Sequence, residues 1–491
     1  MAPPVLVEVH LGAGLPCFNV VGLLATEVKE SKERVRAALS HSGFEMPAGR
    51  ITVNLAPADL PKDGGRFDLA IALGVLVASG QLQPKKDLAH LECFAELALD
   101  GELRSVRGVL PAAAAAAAAS RAVVVARQDQ VELAAIAGLS GVACSDLLEV
   151  CRYLEGKQPW PLRLVEEVAP QEMMRQALLL ADVRGQTLGK RALEVAAAGC
   201  HSVLFVGPPG CGKSMLAARL PSLLPPLEQT ESLEIAMIAS VAANRTGARC
   251  GQVVERPFRS PHHSASASAI IGGGPRALPG EITLAHRGVL FLDELPEFDR
   301  RVLESLREPL ETGEVSIVRA GARADYPARF QFVAAMNPCP CGHRGSSARA
   351  CRCSPSQIER YLARLSGPLL DRIDLRVTLE PVSEAELARP IAADVAAEMA
   401  IKDRVLRARH CQRERQGCSN AELGVTQLEE FATPDIEGRR LLLRMREQLG
   451  LSMRSQHRLL RVARSLSDLA GRKDIASEDV AEALSLRRAF S

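Results

Sequence analysis

Residues 203 to 206 read VLFV, residues 207 to 214 read GPPGCGKS, and the chain continues as MLAARLPSLL. A short apolar run with β-branched ends suits a buried strand, the glycines suit a tight loop, and the last segment carries a helical pattern. This order, with the full G-x-x-x-x-G-K-S spacing, constrains the fold more than any other feature of the chain. The loop Gly207, Pro208, Pro209, Gly210, Cys211 and Gly212 can turn its N–H groups toward phosphate, and the helix start adds partial positive charge. Lys213 is placed to reach the β- and γ-phosphates of a nucleotide, and Ser214 to hold Mg²⁺.

About eighty residues further on, VLFLDE is an apolar strand ending in Asp293 and Glu294. Alone, that is a strand running into a solvated acidic turn. After a phosphate loop it reads as an aspartate that holds Mg²⁺ through water and a glutamate that polarises the attacking water. A third strand, FQFVAAMN, ends in Asn337, an amide that can position water at the γ-phosphate. GPLLDRIDL carries Arg372, and LSMRSQHRLLRVARSL carries Arg454 near the start of an amphipathic helix. An arginine can stabilise charge on a transferring phosphoryl group, although most arginines are surface residues.

GPPGCGKSMLAARLPSLLPPL, FRSPHHSASASAIIGGG, PGEITLAHRGVLFLDELPEF, AAMNPCPCG, SGPLLDRIDL and LSMRSQHRLLRVARSLSDLAG together resemble the magnesium-chelatase-like AAA+ ATPases of the ComM/YifB group. The similarity extends over nearly the whole chain. It implies an α/β fold: a Lon-protease-like domain over 1–150, a linker over 151–170, a parallel-sheet ATPase core over 171–381 and a helical lid over 382–491. It further implies that Lys213 and Ser214 bind nucleotide and metal, that Asp293 and Glu294 form the Walker B pair, and that Asn337 is sensor 1. Arg372 matches the arginine supplied in trans, and Arg454 the sensor-2 arginine. ATP and Mg²⁺ are the implied cofactors, and a homo-hexameric ring with ATP sites between subunits is the implied assembly.

The N-terminal region reads as mixed α/β, with VLVEVHL and RITVNLAP as strands and helices ending at Gly43 and Gly80. Its stretch LPKDGGRFDLA resembles the turn that precedes the nucleophilic serine of Lon-type proteases. Arg66 stands in the serine's place and Leu110 in that of the catalytic lysine, so protease activity is not expected. Nor is it a phosphate loop: no lysine–serine pair follows the glycines, and Asp68 would repel phosphate. It is expected to be a turn and helix start, with Asp63 as a cap and Asp68 in the first turn. Members of the group carry a short segment before the equivalent of APPVLVEVHL, which leaves the order of the sheet edge open.

Length and composition set outer bounds. At 491 residues the chain needs two to four domains, and a net charge of +2 excludes a uniformly basic coat while permitting local basic stripes. The run VLPAAAAAAAASRAVVVA is poor in large apolar residues and meets Arg121 too soon to span a bilayer. With no basic start or apolar signal core, a cytoplasmic protein is expected.

In such a compartment the thirteen cysteines do not imply disulfides. Four cluster in PCPCGHRGSSARACRC: Cys339 with Cys341, and Cys351 with Cys353, as two C-x-C pairs nine residues apart. Four thiolates could hold a structural Zn²⁺, with His343 as a substitute ligand, although C-x-C is tighter than the familiar C-x₂-C knuckle. A loop of idle, reduced thiols is the alternative. The adjacent His262 and His263 are rejected as a metal site, having no acidic partner nearby in sequence.

GEVSIVRAGARADYPARFQFVAA reads as a hairpin of VSIVR and ARFQFV, with Arg319 and Arg323 at its tip as candidate DNA contacts. An ordinary solvated turn would look the same. In the ring ATPases that the chain resembles, such a hairpin points into the central pore, and FRSPHHSASASAIIGGG is a second candidate pore element. RVLRARHCQRERQ and RRLLLRMREQLG read as solvated helical faces that could also meet DNA. An incomplete capping box is read at Ser477 to Val480.

Three functions fit this pattern. The first, implied by the resemblance to the ComM group, is a DNA motor for branch migration in natural transformation or homologous recombination, working with recombination proteins. The second is a chelatase-type ATPase that remodels a protein or metal-insertion partner. The third, an ATP-dependent protease, is disfavoured by Arg66 and Leu110.

Overall fold

The computed structural model describes residues 3–23, 25–161, 178–242, 255–274, 277–319, 322–345, 349–387, 395–449 and 452–487. It divides into two compact units. The first comprises residues 1–172, 228–254 and 319–322, and the second holds the rest.

In the first unit, strand Leu6–Gly12 pairs antiparallel with Arg50–Ala56, which pairs parallel with Cys17–Val21. Among the described residues Leu6–Gly12 is thus one edge of this sheet. A second sheet sets Leu91–Phe94, Ala122–Ala126 and Gly141–Cys144 in parallel. Helix Asp68–Ala78 is apolar on nearly all sides and fills the core. Gly74 lets it approach the first sheet closely, since a Cβ there would lie 2.5 Å from Val9 Cγ2.

The stretch LPKDGGRFDLA is indeed a turn and a helix start, with a single 3₁₀ turn Gly65–Phe67 leading into the helix at Asp68. Asp63 does not cap it, because Phe67 is the residue ahead of the first turn. Asp68 instead accepts two hydrogen bonds from Arg34, at 2.6 and 3.1 Å. Burial still pushes its carboxyl up to about 6 against that pairing. Arg66 donates to the Arg107 carbonyl oxygen, and Leu110 is fully buried.

The alanine-rich run folds as helix Val109–Ala118, and no helix among the described residues is long and apolar enough to cross a membrane. Its first N–H groups find partners 130 residues away in sequence. Ser240 Oγ accepts from the Leu110 N–H at 3.4 Å, and the Ser240 carbonyl accepts from Gly108 at 3.1 Å. Ser240 lies on helix Gln229–Ala242, whose Leu233, Ala236 and Met237 pack with Val109, Leu110 and Leu133. This helix follows the phosphate-loop region in sequence but completes the core of the first unit. Ser240→Ala should destabilise that unit by about 1 kcal/mol, as loss of a helix cap does elsewhere. Hydrogen exchange at the start of helix Val109–Ala118 would register it, and unchanged protection would refute the capping role.

The region read as linker begins inside helix Leu147–Leu154. Trp160 packs edge-on against Tyr153 and lies under the Lys86 ammonium at 4.2 Å. The remainder of that region, from residue 162, lies outside the described residues.

The second unit is built on a parallel sheet in the order Phe258–Arg259, Val289–Leu292, Gln331–Met336, Val203–Val206, Leu375–Thr378. Helix Thr187–Gly199 packs against this sheet. C-terminal helices Val395–Gln416, Val425–Phe431, Ile436–Leu449, Met453–Leu469 and Ser477–Ser485 share one apolar core with the sheet.

The last helix starts one residue away from the expected capping box. Ala476 is the residue ahead of it, and Asp479 reaches back to accept from the Ala476 N–H at 2.9 Å. The arginine-rich helix Val395–Gln416 is less free than its sequence suggests. Arg404 bonds Glu194, Arg409 the Ala197 carbonyl, and Arg415 Asp468, so these three clamp the helix to its neighbours.

The hairpin is also registered differently from the sequence reading. Its strands are Glu314–Arg319 and Ala322–Pro327, while FQFV belongs to the central sheet. Pro327 has no N–H with which to continue the ladder, so the chain leaves the hairpin there. Arg319 ends the first strand, and Arg323 lies in the second, paired with Asp325 at 3.5 Å.

Candidate nucleotide site

In a parallel sheet all strands deliver their carboxyl ends to one edge, where ligands of α/β folds bind. Met336 lies beside Val206, and Leu292 beside Ala334. The residues that follow, Gly207, Asp293 and Asn337, therefore emerge together. The loop from Gly207 to Gly212 opens into helix Lys213–Ala217. Gly210 and Gly212 hold φ of +79° and +93°, and a Cβ on either would meet nothing within 4 Å. Gly207 is the opposite case, since a Cβ there would sit 2.6 Å from the Leu379 carbonyl oxygen. The loop is thus backed by protein on one side and open on the other, as a phosphate cradle requires.

Lys213 is buried and donates to the carbonyls of Gly207 at 2.7 Å and Pro208 at 2.9 Å, and to Asn337 Oδ1 at 3.1 Å. Burial pushes its ammonium below the ordinary lysine value. Ser214 Oγ donates to Asp293 Oδ2 at 2.7 Å, which sets two oxygen donors side by side at an exposed position, a donor chemistry that fits Mg²⁺.

Glu294 has φ of +53°, a left-handed state that costs a non-glycine residue about 1 kcal/mol or more. Its N–H donates to Asp293 Oδ1 at 2.9 Å, and its carboxylate meets His263 Nδ1 at 3.2 Å. His263, rejected on sequence as a metal ligand, finds this acid through the fold and not along the chain. Strand Phe258–Arg259 runs parallel to Val289–Leu292, so the segment that follows it leaves at the edge where Glu294 stands. Gln186 was also missed: its amide donates to the Cys211 carbonyl at 2.8 Å and to the Glu380 carbonyl at 2.6 Å, holding the phosphate loop from below. The segment FRSPHHSASASAIIGGG is partly helical, with Ala267–Ile271 capped by Ser266.

Lys213, Ser214, Asp293, Glu294 and Asn337 therefore form one constellation. Arg372 is buried, donating to the Pro368 carbonyl at 2.7 Å and pairing with Glu311. Arg454 is exposed on the first turn of helix Met453–Leu469.

One turn further along that helix, Arg458 donates to Asp374 Oδ1 at 2.7 Å and to the Arg372 carbonyl at 2.9 Å. Asp374 also meets His201 Nδ1 at 3.3 Å and the Ser202 hydroxyl at 3.3 Å. His201 Nε2 contacts Ser465 Oγ at 2.7 Å. This buried polar relay joins the foot of the phosphate-loop strand to the C-terminal helices. The sulfurs of Cys339, Cys341, Cys351 and Cys353 all lie within 4.8 Å of one another, and His343 is not part of the group.

Three family models match successive parts of the chain. Subunit ChlI of Mg-chelatase matches residues 7–129, magnesium chelatase subunit ChlI matches 179–387, and its C-terminal region matches 396–487. Competence protein ComM of Haemophilus influenzae is 46% identical over 492 residues, covering 99% of this chain and 95% of that protein. The uncharacterized protein YifB of Escherichia coli is 46% identical over 488 residues, covering 99% and 94%. The magnesium-chelatase 67 kDa subunit of Heliobacterium mobile is 31% identical over 242 residues, covering 44% of this chain and 34% of that subunit. With near-complete coverage at that identity, and with the phosphate loop, acidic strand end and asparagine on one parallel sheet, the chain belongs to the ComM/YifB family of magnesium-chelatase-like AAA+ proteins.

Proposed function

We propose that the chain is an ATP hydrolase that assembles as a homo-hexamer and couples turnover to movement along DNA, driving branch migration during natural transformation or homologous recombination. The observation that carries the ATPase part is the single constellation of Lys213, Ser214, Asp293, Glu294 and Asn337. In this reading Lys213 and the loop Gly207–Gly212 bind phosphate, and Ser214 and Asp293 hold Mg²⁺, which supplies charge neutralisation when bound. Glu294 orients and polarises the attacking water, and Asn337 positions it. Arg372 acts in a neighbouring subunit, which requires its release from Glu311, and Arg454 acts from the lid. The four clustered thiols add a structural Zn²⁺, and the reading places the protein in the cytoplasm.

The DNA part is supported by the similarity to a competence protein, and Arg319 and Arg323 are the proposed DNA contacts. A second reading, a chelatase-type motor acting on a protein or metal-insertion partner, is favoured by the chelatase family models and the 67 kDa relative.

The deciding test is ATP turnover by the purified chain, alone and with single-stranded, duplex and four-way-junction DNA. Several-fold stimulation by DNA is expected, strongest with the junction. Turnover indifferent to every DNA would overturn the DNA reading and favour a protein partner.

A further inference from the structure

The four-cysteine group has the dimensions of a metal tetrahedron. Cys339 Sγ lies 3.4 Å from Cys341 Sγ and 3.6 Å from Cys351 Sγ, and Cys341 lies 3.6 Å from Cys351. A Zn²⁺ bonded to thiolates at about 2.3 Å gives sulfur–sulfur edges of about 3.8 Å. The two tight C-x-C pairs, an obstacle on sequence alone, converge, with all four sulfurs within 4.8 Å of one another.

The position of this group matters more than its composition. Cys339 lies two residues beyond Asn337, and the chain turns back at Gly342, whose N–H donates to the Cys339 carbonyl at 2.9 Å. Gly342 rests on the phosphate loop itself. A Cβ there would lie 2.6 Å from Pro209 Cδ and 3.7 Å from Asn337 Cγ. The turn of the cysteine loop at Gly342 therefore lies against both Pro209 and Asn337.

We infer that Zn²⁺ held by Cys339, Cys341, Cys351 and Cys353 braces Asn337 and the Pro209 side of the phosphate loop, so that ATP turnover depends on a second metal that never touches the nucleotide. The four cysteines and Gly342 are positioning residues. This inference rests on the readings of the group as a Zn²⁺ site and of the phosphate loop as a nucleotide site.

The experiment uses the full chain in four forms: wild type, zinc-stripped wild type, Cys351→Ser/Cys353→Ser, and Gly342→Ala. Zinc content is measured on each, together with nucleotide affinity from a fluorescent ATP analogue and ATP turnover in excess Mg²⁺. One zinc per wild-type chain is expected, with tetrathiolate absorption when Co²⁺ is substituted. Stripping by a zinc-selective chelator should lower turnover by about tenfold or more, with recovery on adding Zn²⁺.

Gly342→Ala separates the brace from mere folding. It keeps all four thiols, sets a Cβ against Pro209 and, at φ of +81°, also strains the turn between them, so turnover and nucleotide affinity should fall while zinc content stays at one per chain; zinc lost together with turnover would overturn the separation of brace from ligation. A wild-type chain that binds neither Zn²⁺ nor Co²⁺ with its thiols reduced would overturn the Zn²⁺ reading, and the brace with it. One bound zinc whose removal leaves turnover and affinity unchanged would overturn the brace alone. Failure of the wild type to bind nucleotide would overturn the nucleotide-site reading.

Discussion

Lys213→Ala should lower ATP turnover roughly a hundred- to a thousandfold, the cost of removing a preorganised charge from a phosphoryl-transfer site. The ammonium is already collected at the mouth of the loop by the Gly207 and Pro208 carbonyls and by Asn337. A phosphate that takes up this ammonium also frees Asn337 Oδ1, which links loop occupancy to the residue proposed to position water. The substitution should not unfold the protein. Residue 213 opens a helix, and alanine is a good helix former. The check is turnover at saturating ATP beside a melting curve. Turnover within tenfold of wild type, at unchanged melting temperature, would remove Lys213 from the phosphate site.

Asp374→Ala should produce the largest stability loss, about 3–5 kcal/mol, because it strands Arg458 and leaves the polar atoms of His201 and Ser202 short of a partner in a buried site. Burial alone would raise the Asp374 carboxyl, but the hydrogen bond from His201 and the charge of Arg458 outweigh it and hold it well below the usual carboxylate range. The sign follows from that depression. The carboxylate stabilises the folded state at every pH above the unfolded aspartate value, near 4. That contribution is lost only as pH falls below it.

Calorimetry on the full chain at pH 7 should show the endotherm of the second unit moving down by roughly 5–10 °C. Asp374→Asn, which keeps hydrogen bonding but loses the charge, should fall between. A shift below about 2 °C for the alanine variant would mean that the relay contributes little.

The nucleotide constellation was legible because its residues sit at the ends of apolar strands, and strand ends are where local sequence is most explicit. Lys213, Ser214, Asp293, Glu294 and Asn337 needed only the assumption that these strands share one sheet. His263 was not legible, because its partner lies beyond a strand pairing that no local pattern records. Asp374 and Arg458 are separated by 84 residues, and each looks like an ordinary surface charge in its own segment. The arginines of Val395–Gln416 misled for a related reason: helical spacing reveals a face but not what covers it. The hairpin was misregistered because FQFV is apolar enough to serve in either a hairpin or a core strand, and Pro327 decides between them. The four cysteines were visible, but whether two C-x-C pairs can converge depends on the path of the nine residues between them.

Helix Gln229–Ala242 has a consequence for modularity. The N-terminal unit is discontinuous in sequence, since its core and the cap of helix Val109–Ala118 include residues that come after the phosphate loop. A protease cutting once between residues 162 and 170 would therefore not free an intact unit, because one of its core helices would remain part of the other fragment. A contiguous gene segment ending before the phosphate loop would likewise encode a core lacking Leu233, Ala236 and Met237. The first unit is not contiguous in the gene, and a lineage could acquire or discard it only by altering the stretch that follows the phosphate loop.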